Sequence, residues 1–170
     1  MDMRRFLVED ETAFLREAAA LVDNRLDKLE RDARTHPNPD GFGLYDRTEY
    51  ITGFGLVACQ TYATSILKWS KLSKKEALKI GPKHRTGRPI IELVNAAANT
   101  WKHSPEWSLD EPSAQTQRTI DIITSLGVDT SSSYILHATL YRLLEPHEAR
   151  IKNLIPFLTQ WCDEVIKLTD

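Results

Sequence analysis

The residues of this chain best suited to chemistry lie in one short stretch, Arg88-Pro89-Ile90-Ile91-Glu92-Leu93-Val94-Asn95-Ala96-Ala97-Ala98-Asn99-Thr100-Trp101-Lys102-His103. At about 100° of rotation per residue, Arg88, Glu92, Asn95, Asn99, Lys102 and His103 share an arc of about 100°. Ile90, Leu93, Val94, Ala97 and Trp101 fall on the other side, and Ile91 sits at the edge of the polar arc. Asparagine competes for backbone hydrogen bonds and forms helices poorly, so Asn95 and Asn99, one turn apart, are an unusual way to solvate a helix face. A histidine at a helix C-terminus has its cationic form stabilised by the dipole, which suits it to acid/base work or to phosphate contact. His103, Asn99 and Lys102 are therefore the candidate catalytic residues: His103 as acid/base, the asparagines as groups that orient a substrate. The plain alternative is the polar face that any surface helix carries.

A basic segment precedes this stripe. From Lys68 to Arg88 there are eight lysines and arginines and one acid, Glu76, a charge of +7; the total of -2 leaves -9 on the other 149 residues. Such a segment concentrates polyanions and can contact phosphates. His84, Arg85 and Arg88 sit in a loop framed by Gly81-Pro82 and Gly87, not on a plain exposed helix. Arg88, Arg85, Lys83, Lys79 and Lys75, together with Asn95 from the stripe, are the candidate nucleic-acid contacts. A solvated lysine-rich face is the competing explanation.

The stretch Asn95 to His103, on an all-helical chain, resembles the HEPN superfamily of small helical bacterial proteins, found in toxin–antitoxin, abortive-infection and other defence systems. Many of these are metal-independent ribonucleases. The hallmark is an arginine, often followed by a polar residue, with a histidine after a spacing of four to six. On this sequence the polar residue aligns with Asn99 and the histidine with His103, while the arginine position falls on Ala98. Without that arginine, attack by a ribose 2′-hydroxyl loses its main electrostatic stabiliser. Arg31/His36 and Arg142/His147 also show the four-residue spacing, at a frequency that chance explains. The resemblance implies RNA as the target, a homodimer or a protein partner, and a site that is degenerate for catalysis.

These residues must be held by helices. Apolar residues recur at spacings of three and four over Asp10–Arg34, from Leu15 to Ala33, predicting a long first helix that His36-Pro37-Asn38-Pro39-Asp40-Gly41 breaks. A second helix is expected over about Thr48–Lys71, with Tyr50, Phe54, Val57, Tyr62, Ile66 and Trp69 on its apolar side. Gly53 and Gly55 in it mark either close helix contact or a later start. Ser73 caps a short segment over Lys74–Ile80, and Arg88-Pro89 opens the stripe-bearing helix, which stops at Ser104-Pro105. Further helices are expected over Ala114–Leu126, over Ser133–Leu144 after the Asp129–Ser132 cap cluster, and over Pro146–Leu168 with a kink at Pro156. Trp69, Trp101 and Trp161 are expected in the core, while Trp107 lies in a loop. No stretch alternates with period two. The fold expected is an all-α bundle of five or six helices, with residues 1–170 as one domain.

The same residues exclude several classes of function. No HExxH, CxxC or clustered ligand spacing supports a metal, so no metal or cofactor is expected. Nor is there a GxxxxGK[ST] phosphate loop or a GxSxG elbow. The first residues lack the apolar run of a signal peptide, and Ile51–Leu67 is interrupted by Thr52, Gln60, Thr61, Thr64 and Ser65, too polar for a membrane span. Cys59 and Cys162 are read as free thiols of a cytoplasmic protein. The leading reading is a HEPN-like defence or toxin–antitoxin protein that binds or acts on RNA. The alternative is a non-enzymatic interaction protein, antitoxin-like or a phage-encoded inhibitor, that uses the basic surface to block a partner.

Overall fold

Three consecutive alanines, Ala96-Ala97-Ala98, give a helix so little bulk that others can close around it. That helix is the centre of the bundle. The computed structural model describes residues 3–106 and 111–169. Its α-helices are α1 (Met3–Thr35), α2 (Leu44–Leu67), the single turn α3 (Lys74–Ala77), α4 (Ile90–His103), α5 (Ala114–Thr124), α6 (Ile135–Leu144) and α7 (Ile155–Lys167), with 3-10 turns at Ser104–Glu106 and Ile151–Leu154. The protein is all-α: no strand occurs among the described residues, and Lys83 and Pro89 form an isolated antiparallel bridge.

Helix α4 packs against α2, α5, α6 and α7, and its Leu93, Val94, Ala97 and Ala98 are fully buried. Gly53 lets α2 come close to it. The Trp101 indole lies against the Gly53 backbone, where any Cβ would overlap the ring. Gly55 does the same for Ile151 and Val22. These glycines therefore mark close contacts inside a helix that begins at Leu44, earlier than its sequence suggests.

Polar groups hold the helix ends across the bundle. The Asp23 carboxylate, buried on α1, accepts from the backbone N–H of Ile151 (2.7 Å) and of Lys152 (2.9 Å), so one side chain starts the 3-10 turn of a segment 128 residues away. Burial pushes the Asp23 carboxyl above its ordinary range, against the pull of those donors. Arg150, nearly buried, reaches back to Asp27 and Glu30 of α1 at 2.8 Å each. On α2, Glu49 accepts from the N–H of Leu136 (2.6 Å) and His137 (3.0 Å) and so caps α6.

Several local expectations are corrected. Helix α1 extends seven residues further towards its N-terminus than the apolar pattern suggests. Helix α6 starts at Ile135 because Glu49 caps it from α2, while Asp129 bonds its own neighbour Ser131. The last helix is not one kinked rod: it begins at Ile155, with Pro156 in its first turn, where a missing N–H costs nothing. His147 and Glu148 lie before it, outside any helix. Trp69 is 49% exposed, beyond the end of α2, and Tyr50 and Phe54 are also exposed. Trp101 is half-buried and Trp161 buried, while Trp107 lies outside the described residues. Cys59 and Cys162 are buried and free, and burial pushes the Cys59 thiol up to about 12. No helix among the described residues is long and apolar enough to cross a membrane.

Replacing Asp23 by alanine leaves the buried N–H of Ile151 and the part-buried N–H of Lys152 without an acceptor. Urea unfolding should show a loss of about 1–3 kcal/mol. Arg16→Ala, exposed on α1 and away from the Asp23 contacts, should change stability by less than about 0.5 kcal/mol.

Candidate nucleic-acid interface

Helix α4 presents its polar arc to a groove between α3 and α5. The groove measures about 620 Å³ and is lined by Lys74, Lys75 and Lys79, by Glu92, Asn95 and Asn99 on its floor, and by Gln115, Arg118 and Thr119 on the far bank. It adjoins a second hollow of about 450 Å³, lined by Asn99, His103, Glu106, Glu111 and the start of α5. Asn99, Gln115 and Thr119 face both.

Gln60 of α2 fixes the floor. Its Nε2 donates to Oδ1 of Asn95 (2.8 Å) and to Oδ1 of Asn99 (2.9 Å). Both carbonyl oxygens are thereby turned to α2, which leaves the two Nδ2 amides as the free ends along the groove. A pair of N–H₂ donors one helical turn apart suits an anionic oxygen or a base edge. All three side chains are partly or wholly shielded, so the arrangement is preset before any ligand arrives.

The lysines of α3 are positioned from elsewhere. Ser73 and Glu76 form a reciprocal capping box that starts this single turn. Ala77 is fully buried, and its carbonyl accepts from Nε1 of the buried Trp161 at 2.9 Å, tying α3 to α7. Gly81, in the left-handed region at φ 92°, packs on the same indole, and its N–H donates to Glu164. With Ala77 and Leu78 turned inward, Lys74, Lys75 and Lys79 face the groove. Partial burial, then the nearby charge of Lys102, pushes the Lys74 ammonium below the usual lysine range.

The stripe and the basic segment are only partly brought together. Lys75, Lys79, Asn95 and Asn99 line the main groove and His103 lines the adjoining hollow; Lys102 is exposed and close enough to act on Lys74. Arg88 pairs with Glu92 at 3.1 Å, at the far end of α4. Arg85 turns away to Glu145 of the α6 end at 2.6 Å, and Lys83 is exposed in the loop; neither lines the groove. His84 clips that loop down. It is buried, with Nε2–H donating to the Arg142 carbonyl (3.2 Å) and Nδ1 accepting from Thr86, and burial lowers its pKa. Of the segment's eight cations, Lys74, Lys75 and Lys79 thus face the groove, while Arg85 and Arg88 are held by carboxylates.

His103 has acidic company. Its Nδ1 lies 3.4 Å from Glu106, and Glu111 lines the same hollow. Ala98, on which the HEPN-like arginine position falls, is fully buried in the core. No group of three His, Cys, Asp or Glu residues able to hold a metal occurs among the described residues. Arg118, which also faces Glu92 at 3.7 Å, and Gln60 were not singled out from the sequence. For Gln60 a signal exists, a lone amide inside the apolar run of α2. For Arg118 there is none, because only the packing of α5 on α4 brings it to the site. No family model, curated protein or solved structure matches this chain.

A lowered Lys74 pKa has a direct consequence for anion binding. A bound anion favours the charged ammonium, so affinity should fall as pH rises through the depressed value, below the usual lysine pKa of about 10.4. Measuring polyphosphate affinity against pH should show this fall. Lys74→Arg should remove it, since arginine stays charged.

Proposed function

We propose that this protein binds single-stranded RNA in the α3–α4–α5 groove and does not cleave it, as a catalytically degenerate HEPN-like component of a defence or toxin–antitoxin system. One observation carries the reading: Lys74, Lys75, Lys79 and Arg118 flank the two asparagine amides that Gln60 holds in place. The cations attract the backbone and the amides offer directed donors, which is the division of labour between phosphate and base contacts. A groove of about 620 Å³ has the size of a small-ligand site and accommodates a nucleotide or two of a single strand.

Three features argue for binding without cleavage. The arginine that would hold the scissile phosphate has no counterpart at Ala98, whose side chain is enclosed by neighbouring helices. Arg118 stands at the Glu92–Asn95 level of α4, about ten residues or ~15 Å of helix from His103. Glu106 and Glu111 beside His103 repel a phosphate that would have to sit there.

Retention of a short single-stranded RNA should weaken with salt, with a log–log slope of about -2 to -3 for the four groove cations. The triple change Lys75→Glu, Lys79→Glu, Arg118→Glu should abolish binding with the helical circular-dichroism signal intact. Lys83→Glu, outside the groove, should have little effect. In excess chelator, wild type should leave mixed RNA intact. Cleavage that His103→Ala removes would overturn the non-catalytic reading. Failure of wild type to retain any RNA at low salt would overturn the RNA reading and leave the basic surface to a protein partner.

A further inference from the structure

The long helix α1 has an unused face. It is 33 residues long, about 50 Å, and packs on α2, on α7 and on the Ile151–Leu154 turn. Leu15, Ala19, Leu26 and Leu29 are buried there, yet Phe14 and Leu21 are 66% and 74% exposed. These two stand seven residues apart on one side of the helix, which is two turns. The same strip continues to Asp10 at one end and to Arg25 at the other, both exposed. Beside Phe14, the strip opens into a hollow of about 250 Å³ formed with Phe54, Val57 and Ala58 of α2.

We infer that this strip is the interface of a homodimer in which two α1 helices pair antiparallel. The order Asp10, Phe14, Leu21, Arg25 is complementary to its own reverse. A two-fold axis between Glu17 and Ala18 sets Phe14 against Leu21 of the second copy and Asp10 against Arg25 of the second copy. Each of these contacts is made twice, as an isologous interface requires. Each Leu21 enters the hollow between Phe14 and Phe54 of the other copy, and the two ion pairs close the ends and fix direction and register. A parallel pairing would set Asp10 on Asp10 and Arg25 on Arg25, which like-charge repulsion disfavours. Single apolar residues on a surface need no explanation; two at helical spacing beside an apolar hollow, bracketed by opposite charges, form a patch of the kind that marks an interface. The groove on α4 lies off this face, so the dimer does not depend on the RNA reading, and it presents two separate grooves.

Sedimentation equilibrium on the full chain tests the pairing. Wild type should show a mass tending to twice 19.4 kDa as concentration rises. Leu21→Glu should give a monomer with an unchanged helical signal. Asp10→Arg alone and Arg25→Asp alone should each weaken the dimer by roughly ten-fold or more, since each change places like charges together at two points. The double variant Asp10→Arg/Arg25→Asp should restore it. A monomeric wild type up to the solubility limit, a Leu21→Glu dimer of wild-type strength, or a double variant no better than either single change would each overturn the proposal.

Discussion

The amide group of Gln60 sits where the packing of the bundle and the chemistry of its surface meet. By donating to Asn95 and Asn99 together, it ties α2 to α4 beside their apolar contact. It also decides which way both asparagines point. The close approach it needs comes from Gly53, which admits the Trp101 indole, and from the buried alanines of α4. Partly satisfied polar groups at such a depth are costly, and a shared donor satisfies two acceptors with one residue. The groove floor is thus a by-product of how α2 and α4 pack, and it is rigid for that reason.

Charge is arranged around that floor by a second set of contacts. Eight cations occur between Lys68 and Arg88, but their proximity in sequence does not make them one surface. Arg85 and Arg88 are held by Glu145 and Glu92. Lys74, Lys75 and Lys79 lie on a turn that Trp161 anchors from the far end of the chain. At the other end of the groove, Glu106 and Glu111 share a hollow with His103. On the proposed reading, a polyanion would meet a graded site, attractive beside α3 and repulsive at the histidine, which favours holding a strand over cutting it.

Much of this was legible in the sequence, for physical reasons that differ by element. The apolar spacing of α4 and its two-faced polar arc gave its position and orientation to within a residue or two, because burial on one side enforces the period. The Ser73 cap was equally readable, since its partner is local. Contacts between distant segments were not. Glu49 caps α6 and Asp23 caps the 3-10 turn from other helices, so local capping signals misplaced the start of α6 and the form of the last helix. Trp69 carried an apolar residue type into a solvent-facing position after α2 had ended. Arg118 entered the site only through the α4–α5 contact, and the exposed strip on α1 read as ordinary helix periodicity until the structure showed which residues were covered.

The central claim is that the two asparagine amides and the lysines of α3 form one binding surface. Nuclear magnetic resonance of the side-chain amides, followed while a short single-stranded RNA is added, reports on it directly. The Nδ2 signals of Asn95 and Asn99 should shift together and saturate at the same RNA concentration as the backbone signals of Lys74 to Lys79 and Arg118. The signals around His84 and Arg85 should stay in place. Shifts confined to the His84–Arg85 loop, with both asparagine amides unmoved, would contradict the account.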